Sequence, residues 1–406
     1  MLYKSDIFII FFIFTLFPLA LLAFSKEIPF VEDEEDLRFG SPSESSFQSN
    51  LDLENQTFQK LQPEIKSLVS LHLNWEKSDY RVKTLNLMFS KFMSKSNKKY
   101  SNEKERLYRR KVFDQNMFVA GMHNLQFARG NVKYHLGITK FADWTDKEFL
   151  MTYSTDIQEK SQSNSLLTES KTNQEQKEPR VLKSYPDEVD FREKNIIGPV
   201  EDQGKCGSCY SFATVSATEA AYCLKNTGSR SFRKLSKQQM VDCGPEKTNY
   251  LRGCNGGVLE SAYSYLREVG IAEASDYPYT GTPGKCKADN LKMFLKIRGY
   301  NVLREVNKDG ILTMLSQQPI SMSMQVIGYL KMYTGGIVDV KGPCGFFYNH
   351  AILSVGYDVD TEFPYFILKN TYGDDWGMDG YMFYQMGIGA FGMCAIINDN
   401  ASAPVV

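Results

Sequence analysis

One stretch of the sequence places a cysteine where it could act as a nucleophile. The segment QGKCGSCY, residues 203–210, leads directly into a predicted helix that starts at Cys209 and ends near Gly228. A thiol at a helix N-terminus lies at the positive end of the helix dipole, which favours the thiolate. Beside an imidazolium group, Cys209 would therefore be a nucleophile at neutral pH.

Three further side chains have the types that such a nucleophile needs. His350 is the only histidine in the last 222 residues and begins a predicted strand; a lone histidine is usually structural, but its pairing with Cys209 favours a catalytic role. Asn370 ends another predicted strand, where its amide could accept a hydrogen bond from the imidazole ring. Gln203 lies six residues before Cys209, and its amide could join the Cys209 backbone N–H in an oxyanion hole.

The composition limits the possible function classes. The 406 residues contain 47 basic and 48 acidic side chains, for a net charge of −1. This balance argues against nucleic acid or anionic lipid as the main partner, because both need a basic excess. A hydrophobic content of 42% supports a folded core.

The N-terminus and the cysteines indicate the secretory pathway. Residues 1–24 contain an apolar run, from Ile7 to Phe24, that predicts a cleaved signal peptide; a signal anchor or a buried helix are the alternatives. All eight cysteines lie between Cys206 and Cys394, and in an oxidising lumen they favour disulfides over metal ligands. Two glycosylation sequons begin at Asn55 and Asn400.

The rest of the chain divides into four parts. Residues 25–79 are predicted to be a poorly ordered prosegment, 80–151 a helical domain, 152–184 a linker with a cleavage zone, and 185–406 a globular domain. The helical domain has a long predicted helix over about 102–127, a strand-like segment at 134–141 and a short helix ending at Phe149. In the last part, helices come first and strands later, which predicts an α+β body with a helical lobe and a β lobe. Further predicted elements are a helix at 258–269 and strands at 320–326, 350–355, 365–368 and 381–385.

These residues resemble the papain family of cysteine proteases, in its cathepsin L-like branch. CGSCY at 206–210 matches the family's nucleophile signature, with His350 141 residues after Cys209 and Asn370 161 residues after it, slightly beyond the usual window. Further matches in the expected order are DEVDFR at 187–192, GCNGG at 253–257, YPY at 277–279, the Pro343-Cys344 pair and NTYGDDWG at 370–377. The upstream helix resembles the family's propeptide at Glu105, Arg109, Phe113, Asn116 and Asn124, and a second propeptide motif at Gly137, Phe141 and Asp143.

The resemblance implies a papain-like two-lobed fold. Its helical lobe carries the nucleophile helix, and its β-barrel-like lobe carries the histidine. A helical inhibitory propeptide precedes both lobes. It blocks the cleft until the chain is cleaved between about residues 177 and 186. It also implies three disulfides, which pair Cys206 with Cys254, Cys243 with Cys286, and Cys344 with Cys394. Cys209 is left as the nucleophile, and Cys223 is expected to be a buried thiol.

The resemblance also implies where substrate binds. The substrate-binding positions are Gly256, Gly257, Val258, Leu259, Ser323, Asn349, Ala351 and Asp399. Asp399 falls at the floor of the pocket for the substrate's second side chain, where an acid would admit Arg or Lys; an exposed C-terminal Asp is the alternative. Tyr210 and Tyr372 stand where the family usually has Trp, and from Tyr372 we expect a less sheltered Asn–His pair.

The sequence therefore predicts a secreted or lysosomal-type (vacuolar) cysteine endopeptidase made as a zymogen. We expect a monomer that needs no cofactor and no metal. Its expected partners are protein and peptide substrates and its own propeptide. Membrane contact is expected only through an uncleaved N-terminus. Alternatives are a catalytically impaired homologue that binds or inhibits other proteins, and a thiol–disulfide oxidoreductase using Cys206 and Cys209. An exopeptidase is less favoured because no insertion that would block one end of the cleft is evident.

Overall fold

The fold is described from a computed structural model. It describes residues 60–154, 185–226, 232–303, 307–340, 344, 348–387, 392–397 and 401–406. The predicted signal segment 1–24, both sequon asparagines, most of the predicted linker and Asp399 lie outside the described residues. Among the described residues, no helix combines the length and apolar character needed to cross a membrane.

The prosegment is mainly helical. Helices α1 (Pro63–Leu73), α2 (Ser78–Lys95) and α3 (Glu103–Ala128) precede a short strand, β1 (Tyr134–Leu136), and helix α4 (Asp146–Tyr153). The predicted long helix is confirmed as α3, whose N-terminus is capped by the Asn102 side chain accepting from the Glu105 N–H. Buried Phe113 and Met117 of α3 pack with Phe89 and Phe92 of α2.

The structure has helix in two places where the sequence predicts little order. The segment 25–79 was expected to have little order throughout, but α1 lies within it and buries Leu68, Val69 and Leu71 against α3. The linker was expected to begin at Thr152, but α4 continues to Tyr153. A capping box between Thr145 and Glu148 fixes the start of α4.

The helical lobe follows the prosegment. Its helices are α5 (Cys209–Lys225), α6 (Lys237–Lys247) and α7 (Leu259–Glu268), of which α5 and α7 were predicted. Helix α5 is buried over its first thirteen residues, because it packs against α6 and α7 on one side and the β lobe on the other. A burial so complete makes α5 the central element of the domain formed by residues 185–406.

The β lobe is a mixed sheet with one helix. Its elements are β2 (Glu188–Asp190), β3 (Gly299–Val302), α8 (Lys308–Gln317), β4 (Ile320–Met324), β5 (Tyr333–Val338), β6 (His350–Asp358), β7 (Tyr365–Lys369), β8 (Tyr381–Gln385) and β9 (Ser402–Val405). Among the described strands the order is β1-β5-β8-β7-β6-β4-β9-β3, with β2 also paired to β6. His350 is the first residue of β6 and Asn370 directly follows β7, and the antiparallel pairing of these strands brings the two residues to the same edge. The predicted α+β class, with a helical lobe, a β lobe and a helical propeptide, is confirmed.

The prosegment is joined to the domain formed by residues 185–406 through this sheet. Strand β1 pairs antiparallel with β5, so that Tyr134 lies opposite Gly336 and His135 opposite Gly335. The Gly137 N–H then donates to the Met332 carbonyl at 2.8 Å. One apolar core runs from the prosegment helices into the β lobe, whereas the helical lobe has its own. The prosegment therefore packs as an integral layer of the molecule.

Candidate active site

Cys209 lies at the lobe interface at the start of α5. Its side chain is buried and is not part of a disulfide. As the first residue of the helix, it lies at the positive end of the helix dipole, which favours the thiolate. The Ala351 backbone N–H of strand β6 points at its Sγ at 3.5 Å. This contact places the thiol of the helical lobe beside the histidine-bearing strand of the β lobe.

His350 is held by Asn370. Its Nε2 lies 2.9 Å from the Asn370 Oδ1, so the neutral ring donates its Nε2 proton and leaves Nδ1 as the base. Nδ1 makes no hydrogen bond of good geometry among the described residues, although the Tyr153 backbone lies near the ring. Full burial lowers the pKa of His350 to about 4, and the Asn370 side chain and the Tyr153 backbone oppose this shift. The buried imidazole is therefore neutral in this form of the chain.

Gln203 is oriented by hydrogen bonds at both ends of its amide. Its Nε2 donates to the Cys206 carbonyl at 2.9 Å, and its Oε1 accepts from the Thr371 hydroxyl at 2.5 Å. An amide nitrogen has two protons, so one remains for another acceptor. The backbone N–H of Cys209 lies in the first turn of α5, where N–H groups point out of the helix. Together these groups have the chemistry of an oxyanion hole.

The predicted substrate-binding residues lie on both lobes. Gly256 and Gly257 follow a short 3₁₀ turn, and Gly256 has a φ of 104°, which strongly favours glycine. A Cβ on Gly257 would lie 2.7 Å from the Tyr210 ring, so a side chain there would displace the ring.

Val258 and Leu259 start α7 in the helical lobe, and Ser323 pairs with Ala351 across β4 and β6 in the β lobe. The Asn349 side chain bonds the backbone of Val326 in both directions, at 2.7 and 2.9 Å. These residues come from both lobes, but Asp399 lies outside the described residues, so the predicted floor of the pocket has no structural description.

Tyr210 is buried and keeps a polar contact. Its hydroxyl donates to the Gly253 carbonyl at 3.1 Å, directly before the Gly256–Gly257 segment. A Tyr at this position therefore links the nucleophile helix to the predicted substrate-binding glycines. Because the ring is fully buried and its hydroxyl is bonded, this departure from the family pattern leaves no gap at the helix start.

Tyr372 lies at the centre of an aromatic cluster beside the His350–Asn370 pair. Its ring centroid is 5.2 Å from His350 and 5.1 Å from Trp376. From the prosegment, Tyr153 lies 4.9 Å away and Phe149 5.4 Å away. The Tyr372 hydroxyl is buried and makes no hydrogen bond of good geometry among the described residues, although the Asn370 side chain lies near it. In this form of the chain, prosegment rings thus contribute to the shelter of the Asn–His pair.

The structure contains the three disulfides that the resemblance implies. Cys206 is bonded to Cys254, Cys243 to Cys286, and Cys344 to Cys394, with sequence separations of 48, 43 and 50 residues. The first constrains the loop before Cys209, since the Gly207 N–H also donates to the Cys254 carbonyl at 2.8 Å.

Cys223 departs from its expected burial. It is half-buried on the last turns of α5 rather than buried, although it packs at the edge of the larger apolar core. Burial is still sufficient to raise the pKa of its thiol, which disfavours the thiolate.

Two residues of the site were not singled out from the sequence. Thr371 ties the Asn370 segment to Gln203 through its hydroxyl and through its carbonyl, which accepts from the Gln203 N–H at 2.9 Å. Tyr153 of the prosegment contacts Tyr372 and donates to the Asp202 carboxylate at 3.3 Å. The sequence gives only a weak signal that Thr371 belongs to the site, namely that it adjoins a predicted site residue. It gives no such signal for Tyr153, which lies in the predicted linker.

The chain is similar in sequence to known cysteine proteases and to their propeptides. Residues 185–405 match the family model described as papain family cysteine protease, and residues 89–149 match the cathepsin propeptide inhibitor domain. The chain is 33% identical over 312 residues to the cathepsin L-like proteinase of Fasciola hepatica, covering 76% of this chain and 90% of that protein. It is 35% identical over 338 residues to the thiol protease aleurain of Arabidopsis thaliana, and the match covers 79% of this chain and 84% of that protein.

Solved structures of precursors are also similar. Digestive procathepsin L2 from the larval midgut of Tenebrio molitor aligns with a TM-score of 0.68 at 27% identity, covering 79% of this chain and all of that one. A recombinant stem bromelain precursor aligns with the same TM-score and identity, and the match covers 79% of this chain and 99% of that one. In each case the aligned region includes both the prosegment and the enzyme domain.

Proposed function

The chain belongs to the papain family of cysteine proteases and carries a cathepsin-type propeptide, and from this premise we propose that it is the zymogen of an endopeptidase whose nucleophile is Cys209. The observation that carries the proposal is the joint placement of three groups from two lobes. The Ala351 N–H contacts the Cys209 Sγ, and the adjacent His350 is held through Nε2 by Asn370.

The proposed mechanism follows from this geometry. The Cys209 thiolate attacks the scissile carbonyl, and the Gln203 amide with the Cys209 backbone N–H stabilises the oxyanion. His350 protonates the leaving amine from Nδ1 and then activates the water that releases the acyl group. Asn370 keeps the ring oriented, and it favours the imidazolium because its carbonyl accepts from Nε2. No step in this sequence requires a metal or a cofactor.

The prosegment would inhibit by covering the cleft and burying His350. Its contacts include the Thr139 hydroxyl donating to the Lys331 carbonyl at 2.7 Å, and Lys140 paired with Asp202 at 2.6 Å and Asp375 at 3.0 Å. Lys331, buried in the enzyme domain, pairs with prosegment Asp146. This pair adds an electrostatic contact between the prosegment and the enzyme domain.

Substrate selection would depend on the pocket between the lobes. We expect Val258, Leu259, Ser323 and Ala351 to form its walls, and Asp399 its floor. An acidic floor would let the pocket accept Arg or Lys besides apolar side chains. The ratio of cleavage of Phe- and Arg-containing reporter peptides should therefore shift toward Phe in Asp399→Ala; an unchanged ratio would remove Asp399 from the pocket.

Family membership also supports passage through the secretory pathway, as do the three disulfides. We propose a lysosomal, vacuolar or extracellular destination, and a monomeric enzyme whose partners are protein and peptide substrates.

Turnover by site variants tests the proposal. The chain would be processed at acid pH, and hydrolysis of a fluorogenic peptide would be measured for wild type, Cys209→Ser and His350→Ala. We expect hydrolysis by wild type and none above background by either variant, because no second imidazole is present after residue 185. Cys223→Ser serves as the control, and we expect it to retain activity. Hydrolysis by Cys209→Ser, or its loss in Cys223→Ser alone, would contradict the assignment.

A further inference from the structure

A cluster of charged side chains, most of them buried, lies next to the elements that carry the candidate active site. Lys237, at the start of α6, has its Nζ 2.7 Å from the Glu219 Oε1 and 2.9 Å from the Glu201 Oε2. Lys234 lies 2.6 Å from the other oxygen of Glu201. Lys237 and Glu219 are almost completely buried, and the Leu235 N–H also donates to Glu219 at 2.7 Å. These four residues of the helical lobe satisfy each other directly.

Lys369 of the β lobe is the fifth charged residue of this cluster, and its contacts differ from those of the other four. It is the last residue of β7 and is only 5% exposed. In the described part of the chain it makes no direct ion pair or hydrogen bond, while the field of Glu219 and Glu201 favours its charge. It lines a cavity of about 10 Å³, which has room for one water molecule. The cavity is also lined by Glu201, Ala213, Ser216, Leu353, Asn370 and Thr371.

The buried Lys369 ammonium is unfavourable for the stability of the folded protein. Lys234 is about half exposed, so the buried members are two cations, Lys237 and Lys369, and two carboxylates, Glu201 and Glu219. Of these, only Lys369 lacks a direct partner in the described part of the chain. Burial lowers the pKa of Lys369 to about 8, and Lys237 and Lys234 add to the shift while Glu219 and Glu201 oppose it. An apolar side chain of similar length would fill the space without this cost. A role in stability therefore does not account for a lysine here.

The position of the cavity suggests what the charge does. Ala213 and Ser216 lie about one and two turns after Cys209 on α5. Leu353 lies three residues after His350 on β6, and Lys369 directly precedes Asn370. The cavity is thus in contact with the elements that carry the nucleophile, the imidazole and its orienting amide. A charge that faces carboxylates across this interface acts on the separation of the two lobes.

We propose that Lys369 is a positioning residue: it shares the cavity at the lobe interface with Glu201, and its charge holds the Asn370-bearing strand end against α5, which sets the distance between Cys209 and His350. The proposal rests on the function proposed above, because it concerns the pairing of that thiol with that imidazole. Lys369 itself contacts neither group.

The test is the pH dependence of Cys209 alkylation in Lys369→Met. The processed enzyme would be treated with iodoacetamide from pH 4 to 9, and the thermal unfolding midpoint would be measured in parallel. In wild type, pairing with His350 should keep the thiolate reactive at acid pH. In Lys369→Met we expect the rate at pH 5–6 to fall by about tenfold, toward the profile of an ordinary thiol, with a midpoint that is unchanged or higher. Lys369→Arg should restore the acid reactivity.

Lys331→Met is the matched control, because it removes another buried lysine of the β lobe, one that faces the prosegment instead of the other lobe. Its alkylation profile should match wild type. A Lys369→Met profile that superimposes on wild type would overturn the proposal. So would a lower midpoint with acid reactivity that Lys369→Arg does not restore, since Lys369 would then be structural. A wild-type enzyme that neither hydrolyses peptide nor shows acid reactivity would refute the proposed function itself, and this proposal with it.

Discussion

At the scale of residues, the proposed catalytic groups can be selected from the sequence, but the contacts that orient them cannot. Cys209 and His350 can be selected because few residues of their type are placed for the chemistry. Thr371, which holds the Gln203 amide oxygen, could not be selected, because a threonine hydroxyl has many possible partners and only the fold decides which one it meets. The same applies to Lys369, whose significance depends on its burial.

Tyr372 offers a test at this scale. Its buried hydroxyl makes no hydrogen bond of good geometry among the described residues, although the Asn370 side chain lies near it, and a buried unsatisfied hydroxyl costs about 1–3 kcal/mol. Tyr372→Phe keeps the ring contacts with His350 and Trp376 and removes the hydroxyl. We therefore expect the thermal unfolding midpoint of the zymogen to stay the same or rise, measured in a Cys209→Ser background to prevent processing.

Tyr372→Ala is the comparison variant, because it removes the ring contacts as well and should lower the midpoint markedly. If Tyr372→Phe lowered the midpoint as much as Tyr372→Ala, the hydroxyl would have to make a stabilising bond, and the description of this cluster would be wrong.

At the scale of elements, strong local signals predicted the structure and weak ones did not. Helix α3 has an N-cap and a long periodic pattern, and α5 is bounded at its start by the CGSC segment; both were predicted. Helix α6 contains Gly244 and Pro245, and strand β9 contains Pro404, so local preference argues against both. Tertiary burial stabilises them instead: α6 buries its first eight residues, and β9 pairs with β3.

The prosegment histidines give a pH prediction at this scale. Burial lowers the pKa of His72, His123 and His135, that of His123 to about 4. A group whose pKa is lower in the folded state binds fewer protons there, so folding loses stability as the pH falls below about 6.5 toward 4. The His123 Nε2 lies 3.0 Å from the Tyr134 carbonyl, in the strand that pairs with β5. Protonation of His123 would therefore weaken the prosegment where it joins the enzyme.

His123→Gln should make the zymogen less sensitive to acid, because an amide can donate the same hydrogen bond without titrating. The measurement is the thermal unfolding midpoint between pH 4 and 7 for Cys209→Ser with and without His123→Gln. We expect the two curves to converge near pH 7 and the doubly substituted chain to lose less stability toward pH 4. Parallel curves would show that His123 does not contribute to the acid response.

At the scale of the whole molecule, the prosegment and enzyme domain share one apolar core and one sheet, so the structure is that of an inhibited precursor. The parts of the chain differ in net charge although the whole chain is near neutral. Residues 185–406 contain 21 basic and 24 acidic side chains, a net charge of −3. Within the precursor, complete burial lowers the pKa of His350 to about 4 and disfavours an imidazolium beside Cys209. Removal of the prosegment would return water to the cleft and permit the thiolate–imidazolium pair.

The most direct measurement is labelling of the thiol before and after processing. The intact zymogen and the acid-processed chain would each be treated with an epoxysuccinyl peptide inhibitor, and the modified cysteine would be located by peptide mass spectrometry. We predict one adduct per processed molecule, on Cys209, with little modification of the intact zymogen and none in the processed His350→Ala chain. A processed chain that takes no label, or takes it on Cys223, would contradict the assignment of Cys209 as the nucleophile of a zymogen.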